Sequence, residues 1–335
     1  MATMLHPGAR AAAPSARPTV TTPRARAAAW AEAVHEDITA LLVALDGGGA
    51  FREDRWEREG GGGGVSRMLL EGTTFEKAGV NRSTVHGELP REARQRLGAL
   101  EAGDGARFVA SGVSVVVHPR SPHIPTVHLN VRFFEITDGD GRAVDRWFGG
   151  GTDLTPTYPE PEDAVHFHRA LSDVCAPFGP ALHPRFKAWC DEYFVNRHRA
   201  GECRGVGGIF YDHLRPDEAA HGADVETLHA LSVAVGTSLR AAYAPIVEAR
   251  RETPWGDAER ALQLERRGRY VEFNLLHDRG TLFGLQTNAR VDSVLMSLPP
   301  QACWAAPGTP APGGLSARLT AMLAPRDWLA AGAGA

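Results

Sequence analysis

A segment in the middle of the chain, TVHLNVRFFE at positions 126–135, alternates apolar and polar residues with the period of a β-strand. The alternation places His128, Asn130 and Arg132 on one face and the apolar residues between them on the other. Arginine binds carboxylates through paired hydrogen bonds, asparagine both donates and accepts, and histidine transfers protons near neutral pH. This polar row predicts a site for an anionic substrate that carries N–H groups. The alternative is an ordinary solvent-exposed face, on which Thr, Lys and Glu are commoner.

The preceding segment, GVSVVVH at positions 112–118, is a second predicted strand, and the connection PRSPHIP contains the prolines typical of a turn. Ser114 and His118 share one face of this strand. If the two strands pair, both side chains join the polar row of the neighbouring strand. Together they would form the floor of a pocket.

Two further charged residues lie beside glycines. Asp153 follows three glycines in FGGGTDLTP, so it is either a carboxylate presented to a ligand or the cap of a local turn. Arg204 precedes the glycines of RGVGGIFYD, where it is either another anion-binding group or a surface arginine near a helix end. The residues alone leave both choices open.

Histidines could also bind a metal. His166 and His168 form an HFH pair, but residues two apart on a helix point to nearly opposite sides, so at most one faces a site. For His198, near the buried stripe of its predicted helix, a hydrogen-bonded core histidine is the commoner case. The set His118, His128, His168 and His198 would supply four ligands, yet its spacing matches neither HExxH nor a zinc-ribbon pattern.

The composition is that of a globular protein: 43% of the 335 residues are hydrophobic, which is enough for a sizeable core. The formal net charge of −4 gives no general attraction to nucleic acid or anionic membranes, so an anionic ligand must meet local cations. Those cations are arginines, because Lys77 and Lys187 are the only lysines. Four cysteines without a CxxC pair favour free thiols in a reducing compartment, and the sequence predicts no stable membrane insertion.

Helical periodicity predicts helices at about 28–45, 162–174, 184–199 and 225–251, the last kinked at Pro245. Beyond them, YVEFNLLHDRGTLFGLQTN is predicted as a hairpin that turns at positions 278–280, and 291–298 as another strand. The five glycines at 60–64 indicate either a mobile linker or backbone that approaches a ligand closely.

Hairpins on both sides of a helical block predict an α+β fold, with a large, mainly antiparallel sheet between layers of helices. We expect a single domain over residues 29–335. Residues 1–28 are rich in Ala and Arg and have no acidic residue, which favours a disordered tail over the alternative of an organellar transit peptide.

Taken together, these segments resemble the aerobic, oxygen-dependent coproporphyrinogen III oxidases. The likeness covers roughly residues 29–304, and such an extended series is far more specific than any single motif. It runs through GGGGVSRMLLEG, FEKAGVN, ASGVSVVVHPRSPHIPTVHLNVRFF, WFGGGTDLTP, PRFKAWCDEYF, RGVGGIFYD and YVEFNLLHDRGTLFGLQTNARVDSVLMSLPP.

The resemblance implies an oxidoreductase of haem biosynthesis that converts coproporphyrinogen III to protoporphyrinogen IX. Two propionates become vinyl groups, dioxygen is the co-substrate, and carbon dioxide and hydrogen peroxide are released. It implies no organic cofactor, a flat seven-stranded sheet, and a cytoplasmic homodimer whose interface includes the predicted hairpin region at about 262–304. A divalent cation such as manganese remains an alternative requirement.

The resemblance also implies roles for individual residues. His128 is expected to be the proton donor, Asp153 the carboxylate that engages pyrrole N–H groups, and Arg132 and Arg204 essential arginines. The expected substrate contacts are Ser114, Asn130, Val131, Arg132, Asn288, Ala289 and Arg290, and the metal ligands proposed for bacterial members match His118, His128, His168 and His198. At 288–289 this chain has Asn-Ala where the family more often has glycines, which weakens the expected contact there.

Two other functions compete with this interpretation. A histidine-metal oxygenase or hydrolase would depend on a bound metal. A non-catalytic tetrapyrrole carrier would use the same arginines for binding without consuming oxygen.

Overall fold

The computed structural model describes residues 22–218, 222–286, 290–304 and 314–331. Across these residues seven strands form one antiparallel sheet, in the order β1-β2-β3-β4-β5-β6-β9. The strands are β1 (Arg52–Glu57), β2 (Gly62–Leu70), β3 (Phe75–Glu88), β4 (Arg107–Pro119), β5 (Thr126–Thr137), β6 (Ala143–Thr155), β7 (Val195–Asn196), β8 (Glu202–Cys203) and β9 (Gly207–Leu214). The short strands β7 and β8 pair with each other. The predicted α+β class and seven-stranded sheet are confirmed.

Helices precede, interrupt and follow the strands. The described α-helices are α1 (Pro23–Asp46), α2 (Arg91–Leu97), α3 (Pro161–Cys175), α4 (Leu182–Tyr193), α5 (Val225–Gly236), α6 (Leu239–Ala242), α7 (Ala244–Arg250), α8 (Asp257–Leu276), α9 (Arg279–Gln286), α10 (Val291–Val294), α11 (Leu315–Leu323) and α12 (Trp328–Ala331). Short 3₁₀ turns lie at Leu100–Ala102, Ala176–Phe178, Arg197–Arg199 and Leu295–Ser297.

One face of the sheet packs against the main hydrophobic core. The odd-numbered side chains of β5 from Val127 to Phe133 are fully buried there, as the alternation predicts, and each contributes roughly 1.5–3 kcal/mol by leaving water. Helix α1 packs on β3 and β4, where Ser111 donates to the backbone oxygen of Ala27, and α5 packs on β5 and β6. This face therefore supplies stability and leaves the opposite face for polar groups.

The opposite face is partly covered by α8, which is attached to the sheet through ion pairs. Glu76 on β3 accepts from Arg260 and from the buried Arg267, both at 2.8 Å, and Gln263 donates to the backbone oxygen of Pro119. The segment at 290–298 lies on the same face, because Lys77 donates to the backbone oxygen of Leu298 at 2.7 Å. The remaining polar face of β4, β5 and β6 forms a floor bordered by these elements.

The two edges of the sheet differ. Helix α4 packs along β9, where Phe186 lies against Tyr211 and the rings of Tyr193 and Phe210 stack at 4.3 Å. Strand β1, with the sequence REDRWE, is the other edge and is largely exposed. Its connection to β2 is a tight turn at 58–61, and the glycines at 62–64 are already the first residues of β2. Gly61 and Gly62 adopt positive φ, so the five glycines belong to a β-hairpin rather than to a linker or a ligand loop.

The helix predicted at 225–251 is divided into α5, α6 and α7. Pro245 lies in the first turn of α7 and has no N–H to donate to the carbonyl of Ala241. The ring Nε2 of His166 contacts that carbonyl oxygen at 3.0 Å and replaces the missing donor. By length and composition, Val225–Arg250 would also suffice to cross a membrane, but 61% of its apolar window is buried, as in a core helix.

The predicted hairpin over 270–288 is wrong, and so is the strand predicted at 291–298. The segment is helical: α8 buries Leu262, Tyr270 and Phe273 on one stripe, and α9 starts where the carboxylate of Asp278 accepts from the backbone N–H and hydroxyl of Thr281. Asp278 therefore caps a helix instead of opening a β-turn. Residues 287–289 lie outside the described part.

Two helix boundaries also differ from those predicted. Helix α1 starts at Pro23 with Thr22 as its N-cap, so residues 23–28 of the predicted tail are helical, whereas 1–21 lie outside the described residues. Helix α4 ends at Tyr193, not near 199, because the chain turns into β7.

Candidate active site

The polar face of the sheet brings the predicted site residues together. In the registers of β4, β5 and β6, Ser114 is opposite Asn130, and His128 is opposite Asp153. Asn130 is opposite Gly151 of β6, and Arg132 is opposite Gly149. Ser114, His128, Asn130 and Arg132 therefore lie on one face as predicted, and the carboxylate of Asp153 joins them from the third strand. His118, the fifth residue predicted for this floor, is only 1% exposed and contacts the backbone oxygen of Ser297.

Asp153 lies in the floor between the imidazole of His128 and the guanidinium of Arg204. Its Oδ1 is 2.8 Å from Nδ1 of His128, and Nη2 of Arg204 donates to Oδ1 at 2.8 Å and to Oδ2 at 2.7 Å. Asp153 and Arg204 are each 2% exposed, whereas the side chain of His128 is 23% exposed. Asp153 is thus no cap of a turn, Arg204 is no surface residue, and His128 is the member of this triad that a substrate can contact.

Aromatic rings enclose the Arg204 guanidinium. Its Cζ lies 4.1 Å from the ring centre of Phe194 and 4.7 Å from those of Tyr270 and Phe273. Ring faces attract a cation and exclude water, so the guanidinium exchanges its hydration for the rings and one carboxylate. The position of Arg204 is consequently fixed by both packing and charge.

The charges around Asp153 keep it ionised. Burial by itself would raise the pKa of Asp153, but the guanidinium of Arg204 and the imidazole of His128 outweigh burial, so the pKa lies below its ordinary value. An ionised carboxylate only accepts hydrogen bonds, so Nδ1 of His128 carries the proton in their contact. The imidazole is then left with Nε2 for a substrate, as an acceptor when neutral and as a donor when protonated.

Arg132 reaches from β5 to β9. Its Nη1 donates to Oδ1 of Asn130 at 2.8 Å, and its Nη2 lies 2.7 Å from Oδ1 of Asp212. The side chain of Arg132 is 37% exposed, so donors remain for a ligand. Asp212 was not identified from the sequence, although Phe210 and Asp212 alternate on β9 in the same way as the polar row of β5.

The remaining residues implied as substrate contacts are placed differently. The side chain of Val131 is fully buried on the core face, so it cannot contact a ligand on the polar face. Arg290 forms an ion pair with Asp54 on the edge strand β1 instead of joining the floor. Asn288 and Ala289 lie outside the described residues.

The four histidines implied as metal ligands have separate partners. Nε2 of His118 contacts the backbone oxygen of Ser297, and Nε2 of His168 contacts that of Val206 in the buried core. His198 contacts Glu272, which is on α8, and His277, which directly follows that helix. His128 contacts Asp153. Among the described residues no three His, Cys, Asp or Glu side chains are arranged to hold a metal ion. The donor set of the four histidines therefore does not fit a metal, and we derive no step through one.

Burial reinforces the structural role of two of these histidines. It lowers the pKa of His168 to about 3 and the pKa of His118 well below its ordinary value. Both are neutral near pH 7 and hydrogen-bonded within the fold.

The floor thus combines a half-exposed arginine, an amide, a hydroxyl and an imidazole held by a buried carboxylate. Such a set can bind carboxylates and can transfer a proton. The model of one protein family, described as coproporphyrinogen III oxidase, matches residues 26–328 of the chain.

Proposed function

Because the chain belongs to the coproporphyrinogen III oxidase family, we propose that it oxidises coproporphyrinogen III with dioxygen on the polar face of its sheet. As a member of this family it is an oxidoreductase of haem biosynthesis that carries out an oxidative decarboxylation. In the proposed reaction each of two propionates loses its carboxyl group as carbon dioxide from one methylene and a hydrogen from the other methylene, the one bonded to the pyrrole ring, so that a vinyl group remains. One dioxygen accepts the two electrons and two protons of each step and becomes hydrogen peroxide.

One observation carries the proposal: an arginine and a carboxylate-held imidazole lie on the same face of one strand, four residues apart. Arg132 presents its guanidinium on the polar face, and His128 lies on the same face of β5 with its Nδ1 held by Asp153. A reduced tetrapyrrole that carries four propionates needs both groups. Arginine orients the carboxylates, and the imidazole transfers protons as the ring reacts.

We assign His128 to the proton transfer and Asp153 to holding it. Asp153 is buried and already accepts from His128 and Arg204, so its electrostatic influence reaches the substrate chiefly through the imidazole. Its acceptor oxygen fixes the orientation of the imidazole while the substrate is bound. The electron-rich pyrrole ring itself supplies the reducing power, and we propose that no organic cofactor takes part.

We further propose a cytoplasmic homodimer that uses the segment at 262–304. The four cysteines form no disulfide, which supports a reducing compartment. Six of the ten large apolar side chains that are exposed among the described residues lie in this segment, including Leu276 and Val291 at 56% and 53%, and this concentration supports burial against a second copy. Sedimentation of the protein with and without Leu276→Glu tests this, since the variant should sediment as a monomer.

The function is tested with coproporphyrinogen III prepared anaerobically and added to metal-stripped protein, with and without dioxygen. Product is measured by chromatography and fluorescence after oxidation to protoporphyrin. Product that requires dioxygen but no metal supports the proposal. Product only after a divalent cation is restored supports a metal oxygenase, and binding without product under any condition supports a carrier.

A further inference from the structure

Arg132 crosses an entire strand to reach its carboxylate partner. It is rooted on β5, Asp212 is on β9, and β6 lies between them in the sheet. The residue of β6 opposite Arg132 is Gly149. A Cβ atom at Gly149 would lie 2.7 Å from Nε and 2.8 Å from Cζ and Nη2 of Arg132. The guanidinium therefore rests on the bare backbone of Gly149, in space that a side chain at this position would occupy.

Both ends of the guanidinium are held. Asn130 accepts from Nη1, and Asn130 is itself fixed because its Nδ2 donates to the backbone oxygen of Val113 at 3.3 Å. The carboxylate of Asp212 forms an ion pair with Nη2 of Arg132. The side chain of Asp212 is only 13% exposed, compared with 37% for Arg132. The carboxylate of Asp212 is thus more buried than the guanidinium of Arg132. The other N–H groups of Arg132 remain available to a ligand.

The charge balance around Asp212 still favours an anion. Nη2 of Arg279 lies 4.0 Å from Oδ2 of Asp212, and the side chain of Arg279 is 60% exposed. Two guanidinium groups thus adjoin one carboxylate. These three groups together carry a net positive charge even though Arg132 is paired.

We propose that Asp212 is a positioning residue for Arg132. It draws the guanidinium across β6 over Gly149 and so fixes the direction in which Arg132 meets a propionate of the substrate. This inference rests on the proposed function for the identity of the substrate. An arginine that is already immobilised loses less conformational entropy when the substrate binds. Its positioning should therefore strengthen substrate affinity and leave the rate of the chemical step unchanged.

The test measures two quantities for each variant: the KM for coproporphyrinogen III, and the Kd for coproporphyrin III, an oxidised tetracarboxylate that does not turn over. Asp212→Ala should raise both about three- to tenfold and leave kcat within about twofold, as expected for one arginine that regains its freedom. Asp212→Asn keeps an acceptor oxygen in place and should recover part of the affinity.

Gly149→Ala provides a second variant that leaves the carboxylate untouched. The added methyl group meets only the far end of a flexible side chain, so the fold should persist while the guanidinium is displaced. We expect a loss of affinity similar to that of Asp212→Ala. The matched control is Asp145→Ala, because Asp145 pairs with Arg215 at 2.9 Å with comparable exposures of 19% and 36%. This control should leave KM and Kd unchanged.

The deciding experiment repeats Asp212→Ala and Gly149→Ala in an Arg132→Ala background, where neither should change Kd by more than about twofold. Equal losses with and without Arg132, or no loss in the wild-type background, overturn the inference. Kd is measured without turnover, so the role of Asp212 can be tested even if the wild-type protein fails to oxidise coproporphyrinogen III. Such a failure would refute only the proposed function.

Discussion

His128 and Asp153 face each other directly across strands β5 and β6, with Nδ1 of the imidazole 2.8 Å from Oδ1 of the carboxylate. The contact follows from the pairing register of the two strands and does not depend on the conformation of a loop. Both residues lie in strands that are paired on both sides, which restricts their backbone, and Arg204 holds the carboxylate from its other side. A proton-transfer group with such support should keep its orientation before substrate arrives.

His128→Gln should lower kcat by about 10²- to 10⁴-fold, the range expected when a general acid–base group is removed. Gln retains a side-chain amide near Asp153 but cannot exchange protons near neutral pH. Stability should change little, because His128 is partly exposed. Steady-state kinetics and thermal unfolding of the two proteins make the comparison. A kcat close to that of the wild type would remove His128 from the proton transfer.

Asp153→Asn should impair both activity and stability. It leaves the Arg204 guanidinium buried without a counter-charge, which costs about 3–5 kcal/mol when one member of a buried pair is removed. Denaturant unfolding measures this loss. The double variant Asp153→Asn with Arg204→Met removes both charges and should regain much of the stability but none of the activity. Failure of the double variant to regain stability would show that the ion pair is not the cause.

Arg132→Ala should act mainly on substrate binding. A hydrogen bond to a charged group contributes about 1.5–3 kcal/mol, so KM should rise roughly 10- to 100-fold with a smaller change in kcat. The kinetics are compared with Arg146→Ala, since Arg146 pairs with Glu135 near the other end of the sheet. An unchanged KM in Arg132→Ala would argue against a propionate at this position.

His168 should make stability depend on pH. Its pKa is lowered to about 3 by burial, whereas the unfolded chain takes up the proton near the ordinary value of 6.5. The unfolded state therefore binds more protons between these values, and stability falls as the pH decreases from 6.5 toward 3. His168→Gln, which can still donate to Val206, should reduce this slope by up to about 1.4 kcal/mol per pH unit. Urea unfolding between pH 6.5 and pH 4.5 measures it, with the exposed His86→Gln as control.

His198→Gln tests the metal alternative. His198 contacts Glu272 and His277, away from the pair of His128 and Asp153. We expect the activity of metal-stripped protein to persist within about twofold, as for surface changes outside a site. A large loss that added metal reverses only in the wild type would instead support a ligand role for His198.

Simple alternation predicted the strands that carry the site. β4 and β5 each have one continuous apolar face, and their pairing placed Ser114, His128, Asn130 and Arg132 together. The pairs of Arg204 with Asp153 and of Arg132 with Asp212 could not be predicted in the same way. Each joins residues far apart in the chain, and the geometry of Arg132 depends on the absence of a side chain at Gly149.

The wrong prediction of strands over 270–288 has a physical cause. The buried stripe of α8 includes Gln263, Arg266, Arg267 and Asn274, so polar residues interrupt the apolar period by which a helix is identified. Gln263 and Arg267 are buried against the seven-stranded sheet, where they bind Pro119 and Glu76, whereas Arg266 pairs with Glu202 on β8 and Asn274 donates to the backbone oxygen of Tyr270. A helix that packs through buried ion pairs lacks the apolar periodicity from which helices are predicted.

The unequal edges of the sheet bear on how the protein avoids polymerising. An exposed edge strand offers unpaired backbone groups to another chain, which is a route to fibres. At β9 the aromatic side chains of α4 shield the edge, while β1 carries five charged residues among its six and the ion pair of Asp54 with Arg290. Replacing those charges with β-branched apolar residues would leave the catalytic floor intact and still convert the protein into an aggregating one.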